Sequence, residues 1–238
     1  MSTTPDRART ATETAAAQAV AAAPNATAAA QLLARYRSRL LVYQDAPVNF
    51  DAERLADFAP ANGWNVDDYA ISLPPEPAGT PRPNGSFAAA QTVLRRYSFP
   101  PPQLLTGIFD PSQPLENRLM LLRGRFLGFS FWFGVRVGGV WDEVRDTAAG
   151  PEQVWGYFYR TLQGHFERGQ IDFTLHKNLT SGQVTFRIHA VSQTGRIRNP
   201  FYWLGFKLFG RRLQRRFARA SLWRLQQQVR EMLGYLEG

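Results

Sequence analysis

Cysteine is absent from the 238 residues. That excludes disulfides, thiolate zinc sites, iron–sulfur clusters and a cysteine nucleophile. Histidine is almost as scarce: His165, His176 and His189 are the whole supply, so no histidine-rich metal centre is expected. Lysine is nearly missing, since arginine provides 26 of the 28 basic residues. No apolar run is suited to span a bilayer. The richest, Phe126 to Trp141, is short, glycine-rich and interrupted by Arg136. No glycine-rich phosphate loop follows a strand, and neither a nucleophile elbow nor a paired-histidine zinc motif occurs. Asp142 and Glu143 are adjacent, so on a strand they point to opposite faces and make a poor acid/base pair. No cofactor and no metal are expected.

What is present suits one ordinary domain with some chain left over. Aromatic residues make up 13 % of the chain, with 17 Phe and 6 Trp, too many for a disordered polymer. Residues 1–30 differ. They hold thirteen alanines, and Val20 is the one other apolar residue after Met1. Alanine buries too little surface to offset ordering entropy, so a disordered tail is expected there, followed by a single domain over 31–238. With Asp6 and Glu13 in its first half and only a weakly apolar Ala15–Ala23 run, the tail does not read as an export signal, and a cytoplasmic protein is expected.

Past the tail, a short helix is expected over Ala30–Leu41, and a second weak element over Val48–Phe58 with Asp51 as its N-cap. Ten of the sixteen prolines lie between Pro74 and Pro114, in two clusters that exclude regular structure. Between the clusters Ser86 is expected to cap a helix carrying Phe87, Ala90, Leu94 and Tyr97 on one face. The period then changes. Phe129, Phe131, Phe133, Val135 and Val137 alternate with polar or small residues, which is strand. Val154–Leu162 is another strand. Ile171, Phe173 and Leu175 alternate with Asp172, Thr174 and His176, and Val184, Phe186 and Ile188 with Thr185, Arg187 and His189. Residues Lys177–Gly182 join the two runs as a hairpin. Keeping both apolar faces together puts Asp172, Thr174 and His176 beside Thr185, Arg187 and His189, with Asp172, Arg187 and His189 expected as a solvated cross-strand ion-pair cluster on the outer face.

The last element is a long helix from Pro200 to Leu236. Leu213, Phe217, Leu225, Val229, Met232 and Leu236 form its apolar side; Arg212, Arg215, Arg216, Arg219 and Arg230 form the other. Consecutive antiparallel strands followed by one amphipathic helix make an α+β fold, with the helix on one face of a curved sheet.

Charge is concentrated in that helix. From Arg196 onward there are ten basic and two acidic residues, and before it 18 basic and 17 acidic. The cluster Arg211, Arg212, Arg215, Arg216 and Arg219 is the candidate anion-binding surface, against a plain solvated helix face. Phe201, Tyr202, Trp203, Phe206 and Phe209 precede it. Aromatics beside arginines suit a membrane-surface helix or a stacking platform, or simply close the core where helix meets sheet. Weak, non-specific contact with polyanions or a membrane surface is expected, with no specific nucleic acid and no transmembrane segment.

The most distinctive stretch runs from Gly156 to Gln170 and reads as strand, tight turn, strand. Gly164 and Gly169 bracket a connection holding His165 and Glu167, an arrangement that serves acid/base chemistry or staples the turn. This stretch resembles a domain-of-unknown-function family, number nineteen-ninety, whose signature is Gly-aromatic-x-Tyr-Gly-Thr-Leu-Pro-Gly-His-x-Glu-x-Gly-Glu. Gly156, Tyr157, Tyr159, Thr161, Leu162, Gly164, His165, Glu167 and Gly169 match. Arg160, Gln163 and Gln170 depart, replacing glycine, proline and glutamate, so no acid role is carried over at position 170. The resemblance runs over about 85–235, more faintly from Leu40. It implies a START-like, helix-grip fold, in which a sheet wraps a C-terminal helix and an apolar ligand is held between them.

The resulting expectation is a binding module for a small apolar or amphipathic ligand, with Tyr157, Tyr159, Arg160, His165 and Glu167 as the polar groups near the cavity. An enzyme using the same cavity, with His165 and Glu167 as catalytic candidates, and an interaction protein using the basic helix are the alternatives.

Overall fold

The computed structural model describes residues 28–126, 128–194 and 200–235, with side chains described except at 126 and 200–213. Seven strands form one antiparallel sheet: β1 (Asn65–Leu73), β2 (Leu105–Ile108), β3 (Leu119–Phe126), β4 (Phe129–Thr147), β5 (Gly150–Thr161), β6 (Glu167–Asn178) and β7 (Val184–Thr194). Their order is β1-β7-β6-β5-β4-β3-β2. Strands β2 to β7 thus follow each other as neighbours, and β1 closes the far edge beside β7. Residues 28–41 form a helix, α1. Helix α2 is Ser86–Arg95 and α3 is Pro200–Met232. The plan is α+β, a curved antiparallel sheet with a long C-terminal helix.

Alternation selects the inner face. Phe173, Leu175, Val184, Phe186 and Ile188 point inward with Val135, Val137, Trp155, Tyr157 and Tyr159, and all are buried in one core with Phe87, Ala90, Val93 and Leu94 of α2. The β6–β7 register is the one that the apolar alternation requires: Asp172 opposite His189, Thr174 opposite Arg187, His176 opposite Thr185. Leu222, Leu225 and Val229 bring α3 onto the same core. Residues Arg215, Arg216, Arg219 and Arg230 face outward.

Several expectations are corrected. Ser86 does not cap α2. Gly85 holds the N-cap position, the Ser86 hydroxyl donates to the Pro74 carbonyl at 2.6 Å, and the Glu76 carboxylate instead accepts the Phe87 N–H at 2.8 Å. A carboxylate from a neighbouring strap satisfies the helix terminus as well as a hydroxyl and adds charge of the favoured sign. The second proline cluster does contain regular structure, because β2 fits into the proline-free interval 103–110. Strands β1 and β3 were also unexpected; β1 carries the alternation Tyr69, Ile71, Leu73. The α3 stripe is rotated: Ala218, Ser221 and Leu222 are buried and Met232 is exposed, so the helix rests on its 218–221–222–225–229 side. Asp51 does cap the 3-10 turn Ala52–Asp57, accepting the Glu53 N–H at 3.2 Å.

The tail expected at residues 1–30 lies outside the described residues up to 27; residues 28–30 open α1. Leu40 of α1 packs on the outer face with Ile108 and Leu121, joined by Leu32, Leu33, Tyr36 and Trp132. Both faces of the β2–β4 half are therefore apolar, whereas the outer face of β6–β7 is mostly polar. Among the described residues no helix is long and apolar enough to cross a membrane.

Candidate functional site

The Gly156–Gln170 stretch folds as β5, a turn and the start of β6, and its residue types follow from the hydrogen bonds they make. Thr161 ends β5. Its hydroxyl accepts the Gly169 N–H at 2.9 Å and donates to Asn49 Oδ1 at 2.6 Å, tying both sides of the turn to the preceding segment. Gly169 has φ +153, and a Cβ there would lie 2.0 Å from the Val191 carbonyl oxygen, so only glycine lets β7 approach. His165 Nδ1 accepts the Glu167 N–H at 2.9 Å. Glu167 then reaches α3, where its carboxylate accepts from the Gln214 side-chain amide. One turn thus joins the sheet to the C-terminal helix.

The phenols come from the inner face of β5. Tyr157 and Tyr159 are both buried, and Tyr157 donates to the Leu94 carbonyl at 3.2 Å, fixing the end of α2. The hydroxyl of Tyr159 has a different partner, the hydroxyl of Tyr97, at 3.5 Å. Tyr97 follows α2 in the left-handed region, φ +52, a conformation costing a tyrosine on the order of 1 kcal/mol. That turn lays its ring over Gly107 of β2, where a Cβ would lie 2.5 Å from Tyr97 Cδ1. The strained backbone aims the side chain inward rather than along the helix face expected for it. Burial pushes both phenols up, Tyr159 to about 12, with the Glu167 carboxylate adding to the rise at Tyr159. Burial raises Tyr157 as well. All three are neutral phenols, donors rather than phenolates.

The wall beyond the phenols is aromatic. The Phe133 and His165 ring centroids are 4.4 Å apart, those of His165 and Phe166 4.8 Å, and those of Phe133 and Phe166 5.2 Å. Burial in this wall holds the His165 imidazole far below its ordinary value, at about 3, against the opposing hydrogen bond from Glu167. His165 is neutral across the physiological range.

Of the residues expected at the site, Tyr157, Tyr159, His165 and Glu167 gather on the inner face and its turn. Arg160 does not. It projects from the outer face, where Nε donates to Gln170 Oε1 at 2.9 Å and the guanidinium covers the Phe158 ring at 4.8 Å. Strand parity separates it from its neighbours 157 and 159. Arg160 and Gln170 are direct cross-strand partners, so two of the three departures from the signature form one hydrogen-bonded pair. The Asp172/Arg187/His189 cluster is also rearranged. His189 Nδ1 pairs with Asp68 Oδ1 at 2.7 Å, because β1 supplies a closer carboxylate, while Asp172 accepts from Gln170 at 2.7 Å. Burial raises the Asp172 carboxyl despite the Gln170 bond and the positive charges of His189 and Arg160.

Arg215, Arg216 and Arg219 line an open groove on α3 with Ala220 and Trp223. Trp223 is 61 % exposed. The side chains of Arg211, Arg212, Leu213 and the five aromatics from Phe201 to Phe209 lie outside the described residues. Among the described residues no group of three His, Asp or Glu side chains could hold a metal ion.

The order of this turn and its glycines places the chain among known sequences. Residues 49–224 match the family model described as Domain of unknown function (DUF1990). The chain belongs to this family. Its matched span includes Tyr97, Tyr157, Tyr159, His165, Glu167 and Gln214 and leaves α1 outside. No curated protein matches the chain. In three dimensions the chain is similar to the ZhuI aromatase/cyclase from Streptomyces sp. R1128, at 10 % identity over 71 % of this chain and 94 % of that one, TM-score 0.46. It is similar to a norcoclaurine synthase point mutant of Thalictrum flavum, at 9 % identity over 71 % and 95 %, TM-score 0.44. It is also similar to human STARD10, at 6 % identity over 74 % and 82 %, TM-score 0.36.

Sequence reasoning missed Tyr97, Gln214 and Asn49. Tyr97 and Tyr159 are 62 positions apart, and nothing in local spacing signals a left-handed tyrosine. Gln214 lies among arginines on the helix, where its bond to Glu167 has no sequence signature.

Proposed function

We propose that this domain binds a small apolar or amphipathic molecule between the concave face of the sheet and α3. The observation that carries the reading is the Tyr97–Tyr159 pair. Two buried hydroxyls share one long bond of 3.5 Å, so one of the two protons lacks an acceptor among the described residues. A buried donor left without an acceptor costs about 1–3 kcal/mol, and folds retain such groups where they do something else. Phe133, Phe166 and His165 form an aromatic wall on the same face, the usual composition of a small-molecule site with few polar groups. The test is direct. The full chain purified from its expression host is extracted with organic solvent and the extract analysed by mass spectrometry, and Nile red fluorescence is titrated on the extracted protein. A recovered apolar compound and a blue-shifted, saturable Nile red signal are expected, with Tyr97→Phe/Tyr159→Phe weakening the signal. An empty extract with no saturable signal overturns the reading.

A second reading has its own observation: exposed Trp223 beside Arg215, Arg216 and Arg219. An indole at the surface amid arginines supports weak contact with an anionic membrane surface. Co-sedimentation with phosphatidylserine vesicles should then fall steeply with salt and drop on Trp223→Ala. Binding unchanged by Trp223→Ala overturns it.

A further inference from the structure

We propose that His165 is a fixed hydrogen-bond donor of the cleft, giving its Nε2–H to an uncharged acceptor oxygen of the bound molecule. The inference rests on the ligand-binding reading above and adds the ligand's chemical class. A backbone N–H always donates, so Nδ1, which accepts the Glu167 N–H at 2.9 Å, carries no proton. The single proton of the neutral ring is therefore on Nε2. No described residue accepts it. Phe133 and Phe166 pack against the ring, and turning it over would break the Nδ1 bond that orders the turn. With Nδ1 occupied and Nε2 already protonated, the imidazole has no lone pair with which to take a proton from a substrate. The geometry that makes His165 a donor removes it as a general base.

The other polar groups narrow the class. The Tyr97–Tyr159 pair supplies a second unused donor on the same face. Both donors call for lone pairs, which an ammonium lacks. A free carboxylate brought against the Phe133 and Phe166 rings would carry the cost of taking a charge out of water into an aromatic wall. An uncharged ketone, ester or ether on an apolar body satisfies all three conditions.

The test uses the full chain, labelled with nitrogen-15, and three probes of equal length: 2-dodecanone, dodecanoate and dodecylamine. Long-range proton–nitrogen correlation spectra should show His165 with its proton on Nε2 between pH 8 and 5.5. The resonances are assigned by their loss in His165→Asn. A proton on Nδ1 overturns the proposal outright. Adding 2-dodecanone should shift the Nε2 resonance, and 2-dodecanone should bind more tightly than either charged probe. His165→Asn retains an acceptor for the Glu167 N–H but has no counterpart of Nε2–H. It should weaken 2-dodecanone binding about five- to tenfold, as loss of one hydrogen bond requires. A purely structural His165 would shift the melting temperature without changing the order of the probes. Equal affinity of the two proteins for 2-dodecanone, or preference for a charged probe, overturns the proposal and leaves the binding reading standing. Failure of all three probes to bind the wild-type chain overturns both. Should His165→Asn not fold, the tautomer and the 2-dodecanone shift in the wild-type chain decide the matter.

Discussion

At the β6–β7 hairpin end of the concave face, Lys177 and Glu76 are buried together. Lys177 Nζ donates to Glu76 Oε2 at 2.8 Å and to the Thr80 carbonyl at 3.0 Å. The same carboxylate accepts the Arg82 N–H at 3.0 Å and the Phe87 N–H at 2.8 Å. At the opposite end of the face, Tyr97, Tyr159 and His165 also withdraw from water, yet among the described residues one phenol proton and the His165 Nε2–H meet no acceptor. One end closes a strap over the sheet and fixes the start of α2. The other keeps donors available. The difference separates a structural polar cluster from a candidate functional one without reference to any relative: both cost desolvation, and only the first recovers it within the protein.

The largest effect expected from breaking this comparison is at the closed end. Lys177→Met leaves Glu76 buried and charged with no cation, and removal of one partner from a buried pair costs about 3–5 kcal/mol. Urea unfolding at pH 7 measures it. The pH dependence has a definite sign. Burial pushes the Glu76 carboxyl up, but Lys177 and the Arg82 and Phe87 N–H groups outweigh it and hold the group below its ordinary value of 4.5. Its contribution is present above that value and fades as pH falls through the lowered one. The gap between wild type and Lys177→Met should therefore narrow under acid. A gap constant with pH would show that packing, not charge, was lost.

At the open end the turn lock comes next. Thr161→Val removes the hydroxyl that serves both Gly169 and Asn49 and leaves a buried N–H unmatched, at a cost of about 2 kcal/mol. Amide exchange at Gly169 and Glu167 should accelerate more than at the β6–β7 hairpin. Equal acceleration throughout would mean the turn is no separate unit.

His165 gives a smaller, pH-dependent effect. Its folded value, about 3, lies below the unfolded 6.5, so the unfolded chain binds the extra proton between them. Stability is undiminished above 6.5 and declines as pH falls below it, the reverse of a histidine stabilised by a carboxylate. The ring is half-buried, so solvent screens part of the cost, and about 1 kcal/mol between pH 7 and pH 5 is expected. Melting temperatures of wild type and His165→Asn should converge over that interval. Parallel curves would show that His165 titrates normally.

How much of this was legible beforehand differs between fold and site. Strands β4 to β7 were readable because each carries an apolar alternation long enough to fix its register; Phe173, Leu175, Phe186 and Ile188 leave one face to choose. Strand β2 has four residues between prolines and borrows its order from β3, so no local pattern could show it. The signature residues Thr161, His165 and Glu167 were visible as a group. Their roles were not, since Asn49 and Gln214 complete them from 112 and 47 positions away. Arg160 differs for a simpler reason: strand parity puts it on the face opposite Tyr159, although the two are neighbours along the chain.

The smallest effect sharpens the contrast most, because it compares phenols two positions apart on one strand. Tyr157 has a good acceptor, the Leu94 carbonyl at 3.2 Å. Tyr157→Phe leaves that carbonyl unmatched and should cost about 1 kcal/mol. Among the described residues Tyr159 has only the 3.5 Å contact to Tyr97. Removing either hydroxyl leaves the other with no partner among the described residues, so each single change should cost about 1 kcal/mol. Removing both eliminates the unmatched proton, and replacing two buried polar partners by apolar groups of the same shape is neutral or stabilising. Tyr97→Phe/Tyr159→Phe should therefore be at least as stable as the wild type, a non-additivity that a double-mutant cycle in urea reads directly. A double variant clearly less stable than the wild type would show that the pair is a structural bond after all, and the open end would then be no different in kind from the closed one.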